Sequence, residues 1–282
     1  MMDTLVTITV ARPGADVAIE RAFGWFQQIE DCCTRFDSRS ELMQLTSRAG
    51  VAVPVSAILF ESVQFAVSLA EETRGAFDPT VGHHMEKRGF NRDHRSGQII
   101  HTAIAPENDV SYRDVHLDPE RRTIQLGRPL ILDLGAVVKG LAIDMAAQEL
   151  EPFADFSIDA GGDLYLGGRN PEGERWHVGI RHPRRADAVI YELSATNQAV
   201  CTSGDYERGG HILDPRTGTP ANSSASVTVI APNAMLADAL STAAFVLGPA
   251  EGIGLLERMG ADGVILTPEL ERFETQGLRD AA

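Results

Sequence analysis

Hydrophobic residues recur along the chain with two periods, which predict a mixture of helices and strands. In residues 17–34 and 56–74 they recur every three or four positions, the spacing of an amphipathic helix. The second segment stops at Gly75, a residue type that commonly follows a helix end. Residues 1–10 instead alternate polar and apolar side chains, which predicts an N-terminal strand.

The remaining pattern alternates short strands with further helices. Helices are predicted over residues 137–150, over 233–247 and from Pro249 to about Gly260. Residues 83–114 are polar and irregular, which predicts a long surface excursion. The predicted strands cover residues 123–126, 130–133, 156–158, 164–166, 177–180, 189–193, 200–203, 226–230 and 264–266.

This order of elements predicts an α+β fold, with mixed or antiparallel sheets flanked by helices. The chain shows no repeat, no low-complexity linker and no change in composition along its length. We therefore expect residues 1–282 to form a single domain, or two closely joined lobes.

Composition narrows the classes of function. The 282 residues are 43% hydrophobic and 23% charged, an ordinary globular balance, and the net charge is −15. Such a charge argues against a surface for nucleic acid or anionic membrane. An anionic substrate would need local help from a metal, backbone N–H groups or a few lysines.

The N-terminus has no basic region followed by a long apolar run, and no segment reaches the length of a membrane span. A lipobox cysteine is also absent, so we expect a cytoplasmic protein. The three cysteines at positions 32, 33 and 201 do not form a disulfide or metal pattern, which fits a reducing compartment.

Asp238 and Thr242 are the most informative pair of residues. They lie four positions apart in the helix predicted over 233–247, so their side chains share one face, with Ser241 adjacent. Carboxylate and hydroxyl oxygens suit Mg²⁺, which completes its shell with water and phosphate oxygens. Alone, the pair favours the plainer interpretation of a solvated aspartate and a threonine bonded back to its helix.

Residues 132–140 lead from a predicted strand into a helix, where free N–H groups can meet a phosphate. Lys139 lies one turn into that helix, in position for an anion, and the carbonyl of Ala136 is a candidate metal ligand. The spacing is not that of a phosphate-binding P-loop. A plain turn with a surface lysine is the alternative.

Two other turns carry candidate chemistry. Residues 75–80 could bind a ligand ring or form an ordinary loop. The pair Gly161–Gly162, inside residues 159–163, indicates either a bulge packed against a ligand or a simple hairpin turn.

A histidine lies close in sequence to hydroxyl and carboxyl side chains. His211 follows Ser203 and Asp205 and precedes Asp214, and histidine is the side chain best suited to accept a proton near neutral pH. Catalysis and a structural role are equally good interpretations of His211 on this basis. Residues 214–218 also form a good type I turn sequence.

Taken in order, these segments resemble the ApbE family, the FAD:protein FMN transferases, over residues 2 to about 248. Each motif is weak alone, whereas seven in the same order are specific. The motifs are residues 38–42, 75–80, 133–140, 160–163, 202–206, 211–218 and 237–242.

The resemblance implies an ApbE-like (T-fold-like) architecture and Mg²⁺-dependent transfer of FMN from FAD to a Ser or Thr hydroxyl of another protein, with release of AMP. FAD would be the substrate and Mg²⁺ the cofactor. The acceptor would carry an Asp-Gly-x-Ser/Thr-Gly-Ala/Ser-Thr type motif. The chain would bind neither nucleic acid nor the membrane interior.

The resemblance also implies roles for individual residues. His211 would be the general base, with Lys139 and Asp205 as further catalytic residues. The metal would be held by Asp238, Thr242, the carbonyl of Ala136 and Ser241. The flavin nucleotide would be lined by Met2, Phe36, Ala76, Phe77, Asp78, Asp133, Lys139 and Leu213.

Two departures from the family pattern bear on the flavin edge near the N-terminus and on the function. Asp3 stands where the family usually has glycine, and only four residues separate Tyr206 from His211, where relatives often carry a longer hairpin. A shorter hairpin would favour hydrolysis of FAD to FMN and AMP, or flavin binding without catalysis. The presence of His211, Asp238 and Thr242 together argues against mere binding, since storage needs no base.

Overall fold

The computed structural model describes residues 2–102, 104, 109–206 and 209–281. Contacts along the chain group it into two compact units. The first unit contains residues 1–27, 139–212 and 221–282, and the second contains residues 28–138 and 213–220. Whether they act as a single domain in solution stays a prediction.

Eight α-helices are present in the part of the chain that the structure describes. They are α1 Asp16–Cys33, α2 Glu41–Thr46, α3 Ala57–Glu72, α4 Gly82–Lys87, α5 Gly135–Leu150, α6 Ala234–Leu247, α7 Pro249–Arg258 and α8 Gln276–Ala281. Short 3₁₀ helices cover Pro79–Val81, Tyr112–Asp114 and Glu151–Phe153. No helix among the described residues is both long and apolar enough to cross a membrane.

Fourteen strands accompany them within the same described ranges. They are β1 Val6–Val10, β2 Ala52–Pro54, β3 Val115–Asp118, β4 Thr123–Leu126, β5 Phe156–Ala160, β6 Asp163–Gly167, β7 Trp176–Arg181, β8 Val189–Ala195, β9 Gln198–Gly204, β10 Leu213–Asp214, β11 Thr219–Pro220, β12 Ser226–Ala231, β13 Asp262–Leu266 and β14 Arg272–Glu274.

The first unit is built on a seven-stranded antiparallel sheet in the order β1-β5-β6-β9-β12-β13-β14. Helix α6 packs against β9 and β12, and α7 packs against β13. Strand β12 is buried at every position, as expected for a central strand covered on both faces. A two-stranded ribbon, β7-β8, adds its own apolar side chains over Leu166, Val200 and Ile230.

Burial decides the orientation of α6. Its apolar residues Leu240, Ala243 and Phe245 are buried and hold the helix on the sheet. The polar residues Asp238 and Ser241 are also buried, at 5% and 0% exposure, although burial of such groups is costly without partners. Their partners therefore define the chemistry of this part of the unit.

The second unit holds the three-stranded sheet β2-β4-β3, the two-stranded hairpin β10-β11 and helices α2, α3 and α4. Ser40 and Ser56 cap α2 and α3 by accepting backbone N–H groups, the usual role of serine at a helix start. Helix α3 ends at Glu72, two residues before the predicted end, so Arg74 with φ of +52° is the first residue after the C-cap Thr73 and Gly75 with φ of +81° is the second.

The paired glycines of residues 159–163 form the two-residue turn of the β5-β6 hairpin, where Ala160 pairs with Asp163. Both Gly161 and Gly162 have positive φ, +70° and +96°, as a tight hairpin turn of this type requires. Gly161 also packs so closely on Thr4 that a Cβ would have no room. The hairpin interpretation is confirmed, together with close packing against the chain's own N-terminus.

Three sequence predictions of local structure were wrong. The N-terminal strand begins only at Val6, because Met2 and Asp3 adopt positive φ (Met1 lies outside the described residues). Residues 130–133 form no strand, and Ile131 and Asp133 instead bond to the backbone of the turn at Pro79–Gly82. The segment 83–114, predicted to be irregular, includes most of helix α4. This helix continues the 3₁₀ helix that Asp78 caps. Residues 103 and 105–108 of the segment lie outside the described residues.

Candidate functional site

Lys139 and Asp163 form a buried ion pair in the first unit. The Lys139 side chain is 27% exposed and that of Asp163 only 2%. The second carboxylate oxygen of Asp163 accepts the backbone N–H of Thr202 at 3.0 Å, which ties the β5-β6 turn to β9. The ion pair and this hydrogen bond together join α5, β6 and β9, which are distant in sequence.

The Lys139 ammonium also interacts with Asp238. Burial lowers the pKa of Lys139, but the Asp238 and Asp163 carboxylates outweigh it and raise the pKa above its usual range. Lys139 therefore stays protonated at physiological pH. A permanently charged ammonium suits compensation of anionic groups, and it is unsuited to proton transfer.

The hydroxyls of Ser203, Ser241 and Thr242 form a connected network beside this charge cluster. The Ser203 hydroxyl lies 2.8 Å from that of Ser241 and 3.2 Å from that of Thr242. The Ser241 hydroxyl also donates to the backbone carbonyl of Asp238 at 2.8 Å. Within the predicted trio, bonding back to the helix is thus observed at Ser241.

The donor chemistry on α6 fits a small hard cation. One buried carboxylate, Asp238, and two hydroxyls lie within one helical turn, and all are oxygen donors of the kind Mg²⁺ takes. No cluster of three or more His, Cys, Asp or Glu side chains suitable for a metal occurs among the described residues. A cation bound to Asp238 would therefore complete its shell with other oxygen ligands, such as hydroxyls and water. Ala136 belongs to the second unit, and its carbonyl stays a predicted ligand.

Asp205 and His211 line one small pocket of the first unit. Its other lining residues are Gly210, Ile212, Ala221 and Phe245. Arg184, on the turn between β7 and β8, holds Asp205 by two parallel hydrogen bonds of 2.7 and 2.9 Å. The geometry thus places the predicted acceptor of a proton beside a carboxylate whose orientation is set by an arginine.

Asp144, on α5, contacts the start of the helix that carries Asp238. Its two carboxylate oxygens accept the backbone N–H groups of Ala234 at 2.6 Å and Met235 at 2.9 Å. Burial raises the pKa of Asp144 to about 6, although these two hydrogen bonds pull it down. The carboxylate is therefore ionised at neutral pH despite its partly buried position.

Six of the residues predicted to line the flavin belong to the second unit, whereas Met2 and Lys139 belong to the first. The buried Arg35 connects two of the six. Its guanidinium donates to Asp133 at 2.7 Å and lies 4.3 Å from the centre of the Phe36 ring, and it also bonds the carbonyl of Phe90. Arg35 thereby orders Phe36 and Asp133 relative to each other.

Asp78 is a structural anchor of the same unit. It is 7% exposed and accepts N–H groups from Thr80 and Tyr112 at 2.9 and 3.0 Å. Burial raises its pKa, against these hydrogen bonds. Because Pro79 accepts the N–H of Asp133 at 2.7 Å, the loop of Asp78 runs beside Asp133.

The other predicted flavin contacts of the second unit are largely buried. Ala76 and Phe77 are 0% and 6% exposed, and Leu213, at the start of the β10-β11 hairpin, is 6% exposed. The following turn is closed by N–H bonds to the Asp214 carbonyl, as its sequence predicted. The roles of these residues toward flavin stay predictions.

Five residues that hold these arrangements were absent from the predicted site. Asp163 and Ser203 stand inside motifs already recognised and could have been found there. Asp144 gave only a weak signal, a single carboxylate in an otherwise apolar stretch of α5. Arg35 and Arg184 gave none, because their partners are distant in sequence.

Comparison with known proteins shows the family of this chain. A model of the ApbE family matches residues 2–265. The FAD:protein FMN transferase of Treponema pallidum is 32% identical, over 98% of this chain and 84% of that protein. The enzyme of the same name from Escherichia coli K12 is 31% identical, over 79% of this chain and 68% of that protein.

Solved structures match the fold as well. An ApbE protein from Thermotoga maritima superposes with a TM-score of 0.85 at 29% identity, covering 99% of this chain and 96% of that one. The fold class is therefore that of the ApbE-type flavin transferases, as predicted. The chain belongs to the ApbE family.

We expect Lys139→Met to lower the free energy of unfolding by about 3 kcal/mol, because it leaves two buried carboxylates without their cation. Chemical denaturation of the metal-free protein measures this loss. The control is Lys87→Met, at the chain's other lysine, which is exposed. A Lys139→Met variant as stable as that control would contradict the ion-pair assignment, whereas added Asp163→Asn should restore part of the loss.

We expect stability to depend on the charge of Asp144 between pH 4 and 6. The folded-state pKa of about 6 exceeds the ordinary value of 3.8, so the folded protein binds this proton more tightly and loses that stabilisation as pH rises through the window. Burial, and to a smaller extent the Asp144 carboxylate, raises the pKa values of Tyr165 and Cys201. Their ordinary pKa values are 10 and 9, so both side chains stay protonated between pH 4 and 6.

The measurement is the unfolding free energy of the wild type minus that of Asp144→Asn, at several pH values. This difference should decrease from pH 4 to pH 6 and then level off. Asp187→Asn, which removes an exposed carboxylate of the same unit, is the control for the substitution itself. A difference that stays constant would show that the Asp144 pKa is ordinary.

Proposed function

We propose that this chain is an FAD:protein FMN transferase that moves FMN to a Ser or Thr hydroxyl of an acceptor protein. Its membership of a family whose relatives carry this name supports the proposal. The observation that carries it is the buried group of Lys139, Asp163 and Asp238 beside the hydroxyls of α6. Such a group is costly to bury in an ordinary core, and together with a bound cation it would suit a pyrophosphate substrate.

The reaction balances as a phosphoryl transfer. The acceptor hydroxyl oxygen forms a bond to the FMN phosphorus, the pyrophosphate bond breaks, and AMP leaves with the bridging oxygen. The hydroxyl proton passes to His211, whose neighbour Asp205 is held by Arg184. Lys139 supplies fixed positive charge near the pyrophosphate in a chain of net charge −15.

Asp238 and Thr242, with Ser241, are the proposed holders of Mg²⁺. When bound, the ion would offset negative charge on the pyrophosphate, as metals do in phosphoryl transfer. The hydroxyl network orients the Thr242 and Ser241 oxygens through Ser203. Cytoplasmic location and the acceptor motif given above remain part of this proposal.

The transfer experiment combines the protein with FAD, Mg²⁺ and an acceptor carrying the predicted motif. We expect one FMN to be added to the acceptor, seen by its mass, with equimolar AMP, and both should disappear with EDTA. An acceptor with alanine at the motif hydroxyl is the control. AMP and free FMN without acceptor labelling would establish hydrolysis instead, and bound FAD without AMP would leave a flavin-binding protein.

We expect Asp238→Ala to abolish Mg²⁺-dependent turnover, because it removes the proposed carboxylate ligand of the metal. We expect His211→Ala, which removes the proposed base, to lower the transfer rate by about 10²–10⁴-fold while FAD still binds. His177→Ala, at an exposed histidine of the same unit, is the control for loss of an imidazole. Single-turnover AMP release measures the rate, and FAD fluorescence measures binding. Turnover of Asp238→Ala at the wild-type level would refute its metal role.

A further inference from the structure

Helix α6 has an unusual N-terminus, because its free N–H groups are satisfied by side chains from two different places. The first N–H groups of any helix lack partners within the helix. Here Leu236 donates to Asn233 at 2.9 Å, a local cap that needs no other element. Ala234 and Met235 donate instead to Asp144, 90 residues earlier on α5.

A second contact joins the same two helices. Gly140 lies so close to the backbone of Ala234 and Met235 that residue 140 has no room for a Cβ atom. Gly140 and Asp144 are four residues apart and therefore share one face of α5. Close backbone approach at one position and two charge-assisted hydrogen bonds at the next turn hold the start of α6 against α5.

The groups that face each other across this contact are those of the proposed site. Lys139 precedes Gly140 on α5, and Asp238 lies one turn after Ala234 on α6. The interaction of the Lys139 ammonium with the Asp238 carboxylate therefore depends on where α6 begins. A small shift of that start would displace a carboxylate that is nearly fully buried.

We infer that Asp144 is a positioning residue, which sets the Asp238 carboxylate for the cation and for Lys139 by holding the first two N–H groups of α6. This inference rests on the proposed function only for the cation. Asp144 acts through the backbone of α6, and Asp238 remains the ligand. Residues that hold a metal ligand in position without binding the metal themselves typically contribute about 10–100-fold to metal affinity.

The first test measures Mg²⁺ binding by calorimetry, without FAD or acceptor. We expect Asp144→Ala to weaken binding by about 10-fold or more, and Asp144→Asn, which keeps one acceptor oxygen, to weaken it less. The matched control is Asn233→Ala, which removes the local cap of the same helix and destabilises it without releasing it from α5. Its Mg²⁺ affinity should stay within about twofold of the wild type.

A second test needs neither metal nor activity. In EDTA, the loss of unfolding free energy caused by Asp238→Asn is measured in the wild type, in Asp144→Ala and in Asn233→Ala. If Asp144 positions Asp238 against Lys139, this loss should fall by about half or more in Asp144→Ala and stay unchanged in Asn233→Ala.

The outcomes separate the inference from the proposed function. Equal effects of Asp144→Ala and Asn233→Ala in the metal-free cycle would overturn the positioning role, because Asp144 would then be an ordinary helix cap. Wild-type protein that binds no Mg²⁺ would refute the metal part of the proposed function. The metal-free cycle would still decide the role of Asp144 in that case.

Discussion

The buried ammonium of Lys139 is the interaction on which this arrangement depends. Burial lowers the pKa of Lys139, and the nearby carboxylates of Asp238 and Asp163 outweigh this effect and keep the ammonium charged. Because removal of Lys139 would leave two largely buried carboxylates without their cation, Asp163 and Asp238 both depend on it. The constraint reaches a hairpin turn, a sheet strand and two helices, since Asp163 also holds the N–H of Thr202.

The position of α6 depends on hydrogen bonds to its backbone as well as on the charges of its side chains. Its apolar side holds it on the sheet, while its first N–H groups are held by Asn233 and Asp144. Apolar packing is roughly proportional to area and tolerates small displacements, whereas a carboxylate bonded to two successive N–H groups is directional. A helix that must present Asp238 to a buried ammonium needs the directional contact.

The second unit shows a comparable arrangement around one buried guanidinium. Arg35 orders Phe36 and Asp133, and the backbone of Asp133 in turn bonds the loop that Asp78 anchors. Two units thus each place one cation among the residues that the family resemblance assigns to ligands. In a chain of net charge −15, each of these cations offsets negative charge of the carboxylates around it.

The sequence by itself determined the five longest helices, most strands and the family, because periodicity and motif order are local properties of the chain. It left the turn at Gly161–Gly162 open between a bulge and a hairpin, and it did not predict α2, α4 or α8. It could not give the partner of Lys139, the two N–H groups bound by Asp144, or the unpaired state of residues 130–133. Those features depend on which distant segments meet. Only the tertiary structure decided them, since ion pairs and hydrogen bonds form between groups close in space whatever their separation along the chain.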